Sequence, residues 1–307
     1  MSNSRSGQAN RARALDSTAL AETLRCYWYL APVLAVLLGL IVYPFFNGIT
    51  LSFTNRMVAR PGTFVGIKNF SFLFQDSVYR LSFRNSIVIT VCAVAAKLVV
   101  GMAGAVLLHQ KFPMRNLLRA LIFLPWAIPG LIAGLSWKWI YNEMSGVLNY
   151  LLYALGLSEL GVSWLSDPGI AIYSITIASV WQGYPFYIMM FLAGMASIPV
   201  ELYESARVDG ANAWVQFWRI TIPSLRDVIA IVVMLSSIWT FNSFYMVYIL
   251  TGGGPADRTH ILPTLAFEHA IRRSNLSLGA AVMVTFVPIF LLLIFFLTKK
   301  MLQEESS

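Results

Sequence analysis

Six stretches of this chain carry so little charge that lipid, rather than water, is the solvent in which they can fold. Residues 26–55, 120–137, 168–200, 228–256 and 274–298 contain no Asp, Glu, Lys or Arg, and residues 85–110 contain only Lys97. A helix of roughly 20 apolar residues crosses a hydrocarbon core about 30 Å thick. The sequence therefore predicts an all-α membrane protein with six transmembrane helices.

The composition excludes several other classes. Hydrophobic residues make up 58% of the chain and charged residues 12%, about half the charged fraction of an ordinary soluble domain. A disordered chain, a collagen-like repeat and a soluble enzyme are therefore excluded. The formal net charge of +8 fits basic cytoplasmic loops beside an anionic leaflet, so membrane lipid is an expected partner and nucleic acid is not.

The distribution of basic residues predicts the orientation. Arginine and lysine occur in the first 25 residues, in the connections after the second and fourth spans, and at the C-terminal end, whereas residues 143–167 contain none. Cytoplasmic loops retain such residues, so both termini are expected in the cytoplasm. The chain then divides into a cytoplasmic tail (1–25), a transmembrane domain (26–300) and a second tail (301–307), with the first span remaining uncleaved.

Neither a disulfide nor a metal site is expected. Cys26 and Cys92 belong to two different apolar stretches, and the three histidines are scattered over segment ends and loops. No CxxC pair or clustered ligand set is present in the sequence.

The connection between the fourth and fifth spans, residues 198–223, is the most informative segment. Pro199 suits the first turn of a short helix, and Glu201 lies near the positive end of its dipole. Asp209 and Gly210 form a turn in which glycine supplies the left-handed conformation that ends the helix. The sequence thus predicts a short helix followed by a tight turn.

A second short helix should follow, with Trp214, Phe217 and Trp218 on one face. Pro223 then begins the fifth span. Such an aromatic stripe fits docking to another protein. It equally fits an interfacial helix whose tryptophans rest among lipid headgroups.

The spacing of particular residues in this segment adds a family resemblance. Glu204-x-Ala206-x-x-x-Gly210, then nine residues, then Ile220-x-x-Pro223 resembles the EAA signature of permease subunits of binding-protein-dependent ABC importers. Ser205 replaces the middle alanine and Ile222 the usual leucine. In that family the segment is the coupling helix that docks in a cleft of the ATPase. The resemblance thus implies a set of ATPase-coupling residues: Glu204, Ala206, Asp209, Gly210, Trp214, Ile220 and Pro223.

Further motifs narrow the resemblance to carbohydrate permeases of the maltose and glycerol-phosphate type. They lie at residues 43–44, 51–53, 65–70, 124–129, 181–185 and 248–255, so the resemblance runs from about residue 27 to the end. It implies the MetI/MalF-like ABC importer permease fold in a bacterial inner membrane. It also implies a second homologous permease, a dimer of ATPase subunits and an extracytoplasmic solute-binding protein. ATP and Mg²⁺ would bind to the ATPase, so this chain is expected to hold no cofactor and to be no enzyme.

The same resemblance implies positions that contact the transported sugar. They are Trp126, Gly130, Trp181, Gly183, Ser236, Thr240 and Asn242. Aromatic rings suit the apolar face of a pyranose, and hydroxyl and amide groups suit its hydroxyls. For each position the alternative is helix packing, because small and polar residues commonly join membrane helices.

Lys97 is a separate candidate, because a charged side chain near the centre of a span costs roughly 3 kcal/mol on insertion scales. It could bind an acidic group of the substrate, which would make this a permease for an anionic polyol derivative such as glycerol phosphate or for a sulfonated or phosphorylated sugar. It could instead face a carboxylate of a partner or a water-filled crevice.

Two other functional classes receive little support. A membrane-embedded enzyme would need clustered Asp, Glu or His at the span ends, and an ion-coupled secondary transporter would need ionisable residues in broken helices, where the sequence offers only Lys97. A self-powered pump is excluded because no G-x-x-x-x-G-K-[ST] phosphate loop occurs. The Gly-Gly-Gly-Pro stretch at residues 252–255 is an exposed turn that could contact the binding protein.

Overall fold

The computed structural model describes residues 28–158 and 160–292, together with residues 295 and 299. The two predicted tails, residues 1–25 and 301–307, lie outside these residues. The described part is helical and contains no strand, with two isolated bridges that join Thr54 to Phe64 and Met57 to Arg60.

The helices are numbered in chain order. They are α1 (Trp28–Ser52), α2 (Lys68–Gln75), α3 (Ser77–His109), α4 (Arg115–Ala127), α5 (Gly130–Ile140), α6 (Val147–Ala154), α7 (Pro168–Ala196), α8 (Val200–Val208), α9 (Ala213–Ser224), α10 (Arg226–Phe241), α11 (Phe244–Leu250), α12 (Leu262–Phe267) and α13 (Leu276–Leu292).

Three of these helices are long and apolar enough to cross a membrane unbroken. They are α1, α3 and α7, with 25, 33 and 29 residues, and they correspond to the predicted first, second and fourth spans. Side-chain caps fix where two of them begin: Asp76 accepts a hydrogen bond from the Val78 N–H (3.0 Å) and Asp167 from the Gly169 N–H (2.6 Å). An aspartate at this position satisfies one of the unpaired N–H groups of the first turn.

The third span, predicted as one helix over residues 120–137, is broken. Helices α4 and α5 meet at 94°. Pro129 causes the break, because a proline disfavours helical geometry in the residue before it, and Ile128 is extended (φ −76°, ψ 127°). The Ile128 carbonyl accepts a hydrogen bond from Gln182 Nε2 of α7 at 3.2 Å. Irregular backbone at membrane depth needs such a partner.

The fifth span begins later than the sequence predicted. Pro223 lies in the last turn of α9, and α10 follows at an angle of 66° after Leu225. Leu225 is fully buried, and a Cβ added to Gly194 of α7 would lie 2.6 Å from Leu225 Cδ2. The absence of a side chain at Gly194 therefore creates the space into which Leu225 packs. A second break, after Asn242, separates α10 from α11.

The predicted sixth span, residues 274–298, extends into residues that the structure does not describe. Its described part is α13. By length and composition, the described residues thus contain three helices that can each cross a membrane and two bent helix pairs, α4–α5 and α9–α10, and the total of six spans remains a prediction.

Helices α3 and α7 pack closely and form the centre of the bundle. Two glycines of α3 allow this approach: a Cβ at Gly101 would clash with Tyr187, and one at Gly104 would lie 2.5 Å from Ile188 Cδ1. Small residues at a helix contact let backbones approach and gain van der Waals energy where no water can drive association. The residue one helical turn before Gly101 is Lys97, so this contact also sets the position of the lysine.

Candidate functional site

A cleft of about 170 Å³ lies between α3, α7, α10 and the end of α4. It is lined by Lys97, Trp126, Ser179, Gln182, Gly183, Phe186, Ser236, Trp239, Thr240 and Ser243. The structure therefore brings together five of the eight positions that the sequence analysis assigned to the substrate: Lys97, Trp126, Gly183, Ser236 and Thr240.

Lys97 is the charged member of the cleft lining. Its side chain is only 5% exposed, and Nζ donates a hydrogen bond to Thr240 Oγ1 at 2.9 Å. A Cβ at Gly183 would lie 2.6 Å from Lys97 Cε, so the glycine provides room for the end of the lysine. Within the described residues no carboxylate pairs with this ammonium.

A row of three aromatic rings forms one wall of the cleft. The Trp126 and Phe186 rings are nearly parallel at 6.3 Å between centroids, and the Phe186 and Trp239 rings meet at 5.1 Å and 65°. Trp239 is 50% exposed in the single chain. The wall therefore offers flat apolar faces to whatever occupies the cleft.

Three predicted substrate positions lie outside the lining. Trp181 packs edge-to-face on Trp137 with centroids 5.7 Å apart. Asn242 is exposed and donates to the Ile238 carbonyl of its own helix at 2.9 Å. Gly130 begins α5 next to Gln182, whose Nε2 would lie 3.8 Å from an added Cβ. None of the three touches the cleft in the single chain, and Trp181 has the surroundings of a packing residue.

The structure adds five lining residues that the sequence analysis did not identify: Ser179, Gln182, Phe186, Trp239 and Ser243. Helical spacing is the signal that could have found most of them. Ser179 and Phe186 lie four residues before and three after Gly183, and Ser243 lies three after Thr240, so they share a face with predicted positions.

The second candidate region is the segment of residues 198–223, here called the elbow. Its first arm is α8, which ends in a Schellman motif: the N–H of Gly210 donates to the Arg207 carbonyl (3.1 Å) and that of Ala211 to the Ala206 carbonyl (2.8 Å). Gly210 has φ +80°, which confirms the predicted left-handed turn. An added Cβ there would meet nothing within 4 Å, so the turn requires the backbone conformation of glycine rather than its small size.

The second arm, α9, is capped and tied back to the first. Asn212 Oδ1 accepts a hydrogen bond from the Val215 N–H at 2.9 Å, and the hydroxyls of Tyr203 and Thr221 join the two arms at 2.9 Å. Trp214 is 68% exposed, and its centroid lies 5.7 Å from that of Trp218. Of the predicted aromatic stripe, Trp214 and Trp218 face outward, whereas Phe217 packs against buried residues of the bundle.

The remaining coupling positions lie along the same elbow. Glu204, Asp209 and Pro223 are exposed, and Ala206 and Ile220 are half-buried. Within the described residues neither Glu204 nor Asp209 forms an ion pair. The acidic groups of the elbow are thus available to a partner.

On the opposite side, the loop after α11 is hydrogen-bonded to α3. Asn85 Nδ2 donates to the carbonyls of Arg258 (2.8 Å) and His260 (3.0 Å). His260 packs against Gly253, and its Nε2 lies 3.4 Å from Asp257 Oδ1. Burial lowers the pKa of His260, and the Asp257 carboxylate opposes that shift. No group of three His, Cys, Asp or Glu within the described residues could hold a metal ion.

Comparisons with known proteins agree with this architecture. Residues 97–303 match the family described as binding-protein-dependent transport system inner membrane component. The trehalose/maltose transport system permease protein MalF of Thermococcus litoralis is 32% identical over 85% of this chain and 88% of its own length. The sulfoquinovosyl glycerol transport system permease protein SmoG of Agrobacterium fabrum is 32% identical over 86% of each chain.

The fold is also that of a solved permease. A chain of a bacterial ABC transporter involved in the import of the acidic polysaccharide alginate superposes with a TM-score of 0.80 at 20% identity, covering 92% of this chain and 96% of the other. At that identity the likeness establishes the fold alone, and it confirms the MetI/MalF-like expectation. This chain therefore belongs to the family of inner-membrane permease components of binding-protein-dependent ABC transporters.

Proposed function

We propose that this chain is one of two permease subunits of an ABC importer that carries a sugar, an oligosaccharide or a sugar derivative. The partners are a second homologous permease, an ATPase dimer that binds ATP and Mg²⁺, and an extracytoplasmic solute-binding protein that reaches the loop around residues 252–255. Both termini lie in the cytoplasm. This chain supplies half of the path and hydrolyses nothing itself.

The observation that carries the proposal is the geometry of the elbow. It is a two-armed segment, joined by a hydrogen bond, in which Trp214 and Trp218 are exposed and the acidic side chains form no ion pair within the described part of the chain. It also leads through Leu225 directly into α10, the helix that carries Ser236 and Thr240 of the cleft. A partner that binds the elbow therefore acts on a wall of the cleft through α9, the bend at Leu225 and α10.

The charge of the elbow favours a protein partner over the membrane surface. Residues 198–223 contain three acidic and two basic side chains. The inner leaflet is anionic and attracts basic segments. A segment with an excess of carboxylates gains little there, whereas Glu204 and Asp209 can pair with cations of an ATPase.

The lining of the cleft supports a carbohydrate. The aromatic row offers faces on which a pyranose can stack, and the hydroxyls of Ser179, Ser236 and Thr240 can bond its hydroxyl groups. Polar groups at fixed positions in a largely apolar site orient a small ligand. Two relatives named above are trehalose/maltose and sulfoquinovosyl glycerol permeases.

The test is a photo-cross-linking map of the importer in its native membrane. A photoreactive residue replaces Val208, which is 88% exposed at the tip of the elbow. We expect an adduct with a protein that contains the G-x-x-x-x-G-K-[ST] phosphate loop. The matched control replaces Met144, which is 96% exposed on the opposite side and should give no such adduct. Phospholipid adducts alone at position 208 would show that the elbow rests on the membrane, and the proposal would fail.

A further inference from the structure

We infer that the transported saccharide is acidic, and that Lys97 binds its negatively charged group, whether carboxylate, sulfonate or phosphate. This inference rests on the proposed carbohydrate function and narrows its substrate class. It starts from a charge inside the bundle that the described residues leave without a counter-ion.

The first step is the unused bonding capacity of the lysine. An ammonium has three protons to donate, and the structure uses one, in the bond to Thr240 Oγ1. Lys97 lines the cleft together with Ser179, whose buried Oγ has no hydrogen-bond partner within the described residues. An oxyanion in the cleft would receive donors from both.

The second step compares a neutral and an acidic sugar in the cleft beside Lys97. Lys97 is only 5% exposed, so a sugar that fills the cleft of about 170 Å³ leaves its ammonium no contact with bulk water. A neutral sugar offers the ammonium hydroxyl oxygens but no negative charge, and a buried charge without a counter-charge is unfavourable. An acidic sugar brings the counter-charge with it, so passage of the solute neutralises the site.

The third step is the placement of the charge beside the aromatic row. Trp126, Phe186 and Trp239 line the same cleft as Lys97. A ring can therefore stack on the aromatic faces while an acidic substituent of the same molecule reaches the ammonium. This arrangement fits a saccharide with one acidic group on or next to the stacked ring.

The experiment measures uptake by cells that express the complete importer, using labelled probes that differ in charge. The probes are methyl glucoside, methyl glucuronoside, glucose 6-phosphate and sulfoquinovosyl glycerol, compared in native, Lys97→Gln and Lys138→Gln strains. Lys138 is an exposed lysine outside the cleft and serves as the matched control. Native gel electrophoresis checks assembly of each variant.

We expect the native importer to take up at least one acidic probe and to discriminate against methyl glucoside. Lys97→Gln should lower acidic uptake about tenfold or more, the loss expected for a charge-assisted contact, with assembly retained. Lys138→Gln should leave uptake unchanged. The probe that enters identifies the acidic group.

Three outcomes would overturn the inference. Equal uptake of methyl glucoside and the acidic probes would do so, as would unchanged acidic uptake in Lys97→Gln. Loss of assembly in Lys97→Gln would assign the lysine to a carboxylate of the second permease. Each of these leaves the carbohydrate importer standing, whereas absence of uptake for every probe in the native strain would overturn the carbohydrate proposal as well.

Discussion

The elbow and the cleft are built from opposite kinds of contact. The hydrogen bond that joins the two arms of the elbow links residues 18 positions apart, Tyr203 and Thr221. The bond that crosses the cleft links residues 143 positions apart, Lys97 and Thr240. The shape of the elbow therefore follows from caps and turns within one short segment, whereas the cleft exists only when parts of four spans have packed. Substitutions in the two regions should therefore differ in their effects on stability and transport.

The largest expected effect separates packing from substrate contact near the cleft. Trp181→Ala should destabilise the permease by about 3 kcal/mol, because it removes a large side chain packed on Trp137, and should lower the thermal unfolding temperature in detergent. Trp239→Ala removes an exposed cleft ring and should lower transport while leaving that temperature nearly unchanged. Normal stability with impaired transport in Trp181→Ala would return Trp181 to the substrate-contacting set.

The second prediction tests whether the elbow depends on backbone conformation alone. Gly210→Val should strain the left-handed turn by about 1–2 kcal/mol and uncouple transport, with membrane insertion intact. Gly210→Asn is the matched control, because asparagine adopts positive φ more readily, and it should retain most transport. Similar transport by the two variants in an uptake assay would show that the turn does not set the coupling geometry.

The smallest effect concerns the bond between the arms. Tyr203→Phe removes the hydroxyl that pairs with Thr221 and should cost about 1 kcal/mol locally. Hydrogen exchange of residues 200–224 should then rise, whereas exchange of α3 and α7 should stay at the native rate. Increased exchange throughout the bundle would contradict the local construction of the elbow.

The elbow was the region most fully predicted from sequence. Pro199, Gly210 and the aromatic stripe each act through neighbours within a few residues, so their spacing is enough to place them. The start of α10 is different, because it depends on a contact that is distant in sequence. Pro223 can end one helix as well as begin the next, and the choice depends on the packing of Leu225 against α7.

The cleft could be predicted only in part. Ser236 and Thr240 share a helix face, and the structure places both in the lining. The bend at Ile128 depends on a carbonyl that Gln182 of another span satisfies, and no local pattern reveals that bond. Trp181 lies outside the cleft lining for a similar reason: it packs on Trp137, which is distant in sequence. Its contact with the substrate stays a prediction.

The packing of Leu225 against Gly194 has a consequence for the tilt of α10. Thr240 lies about 22 Å along α10 from that point, at 1.5 Å per residue. A tilt of about 10° around Leu225 would carry the Thr240 hydroxyl by about 4 Å, which exceeds the 2.9 Å that now separates it from the lysine nitrogen. A modest tilt of α10 is thus sufficient to break the hydrogen bond between Thr240 and the ammonium. In the proposed importer, movement of the elbow and release of the substrate would then be coupled through this one helix.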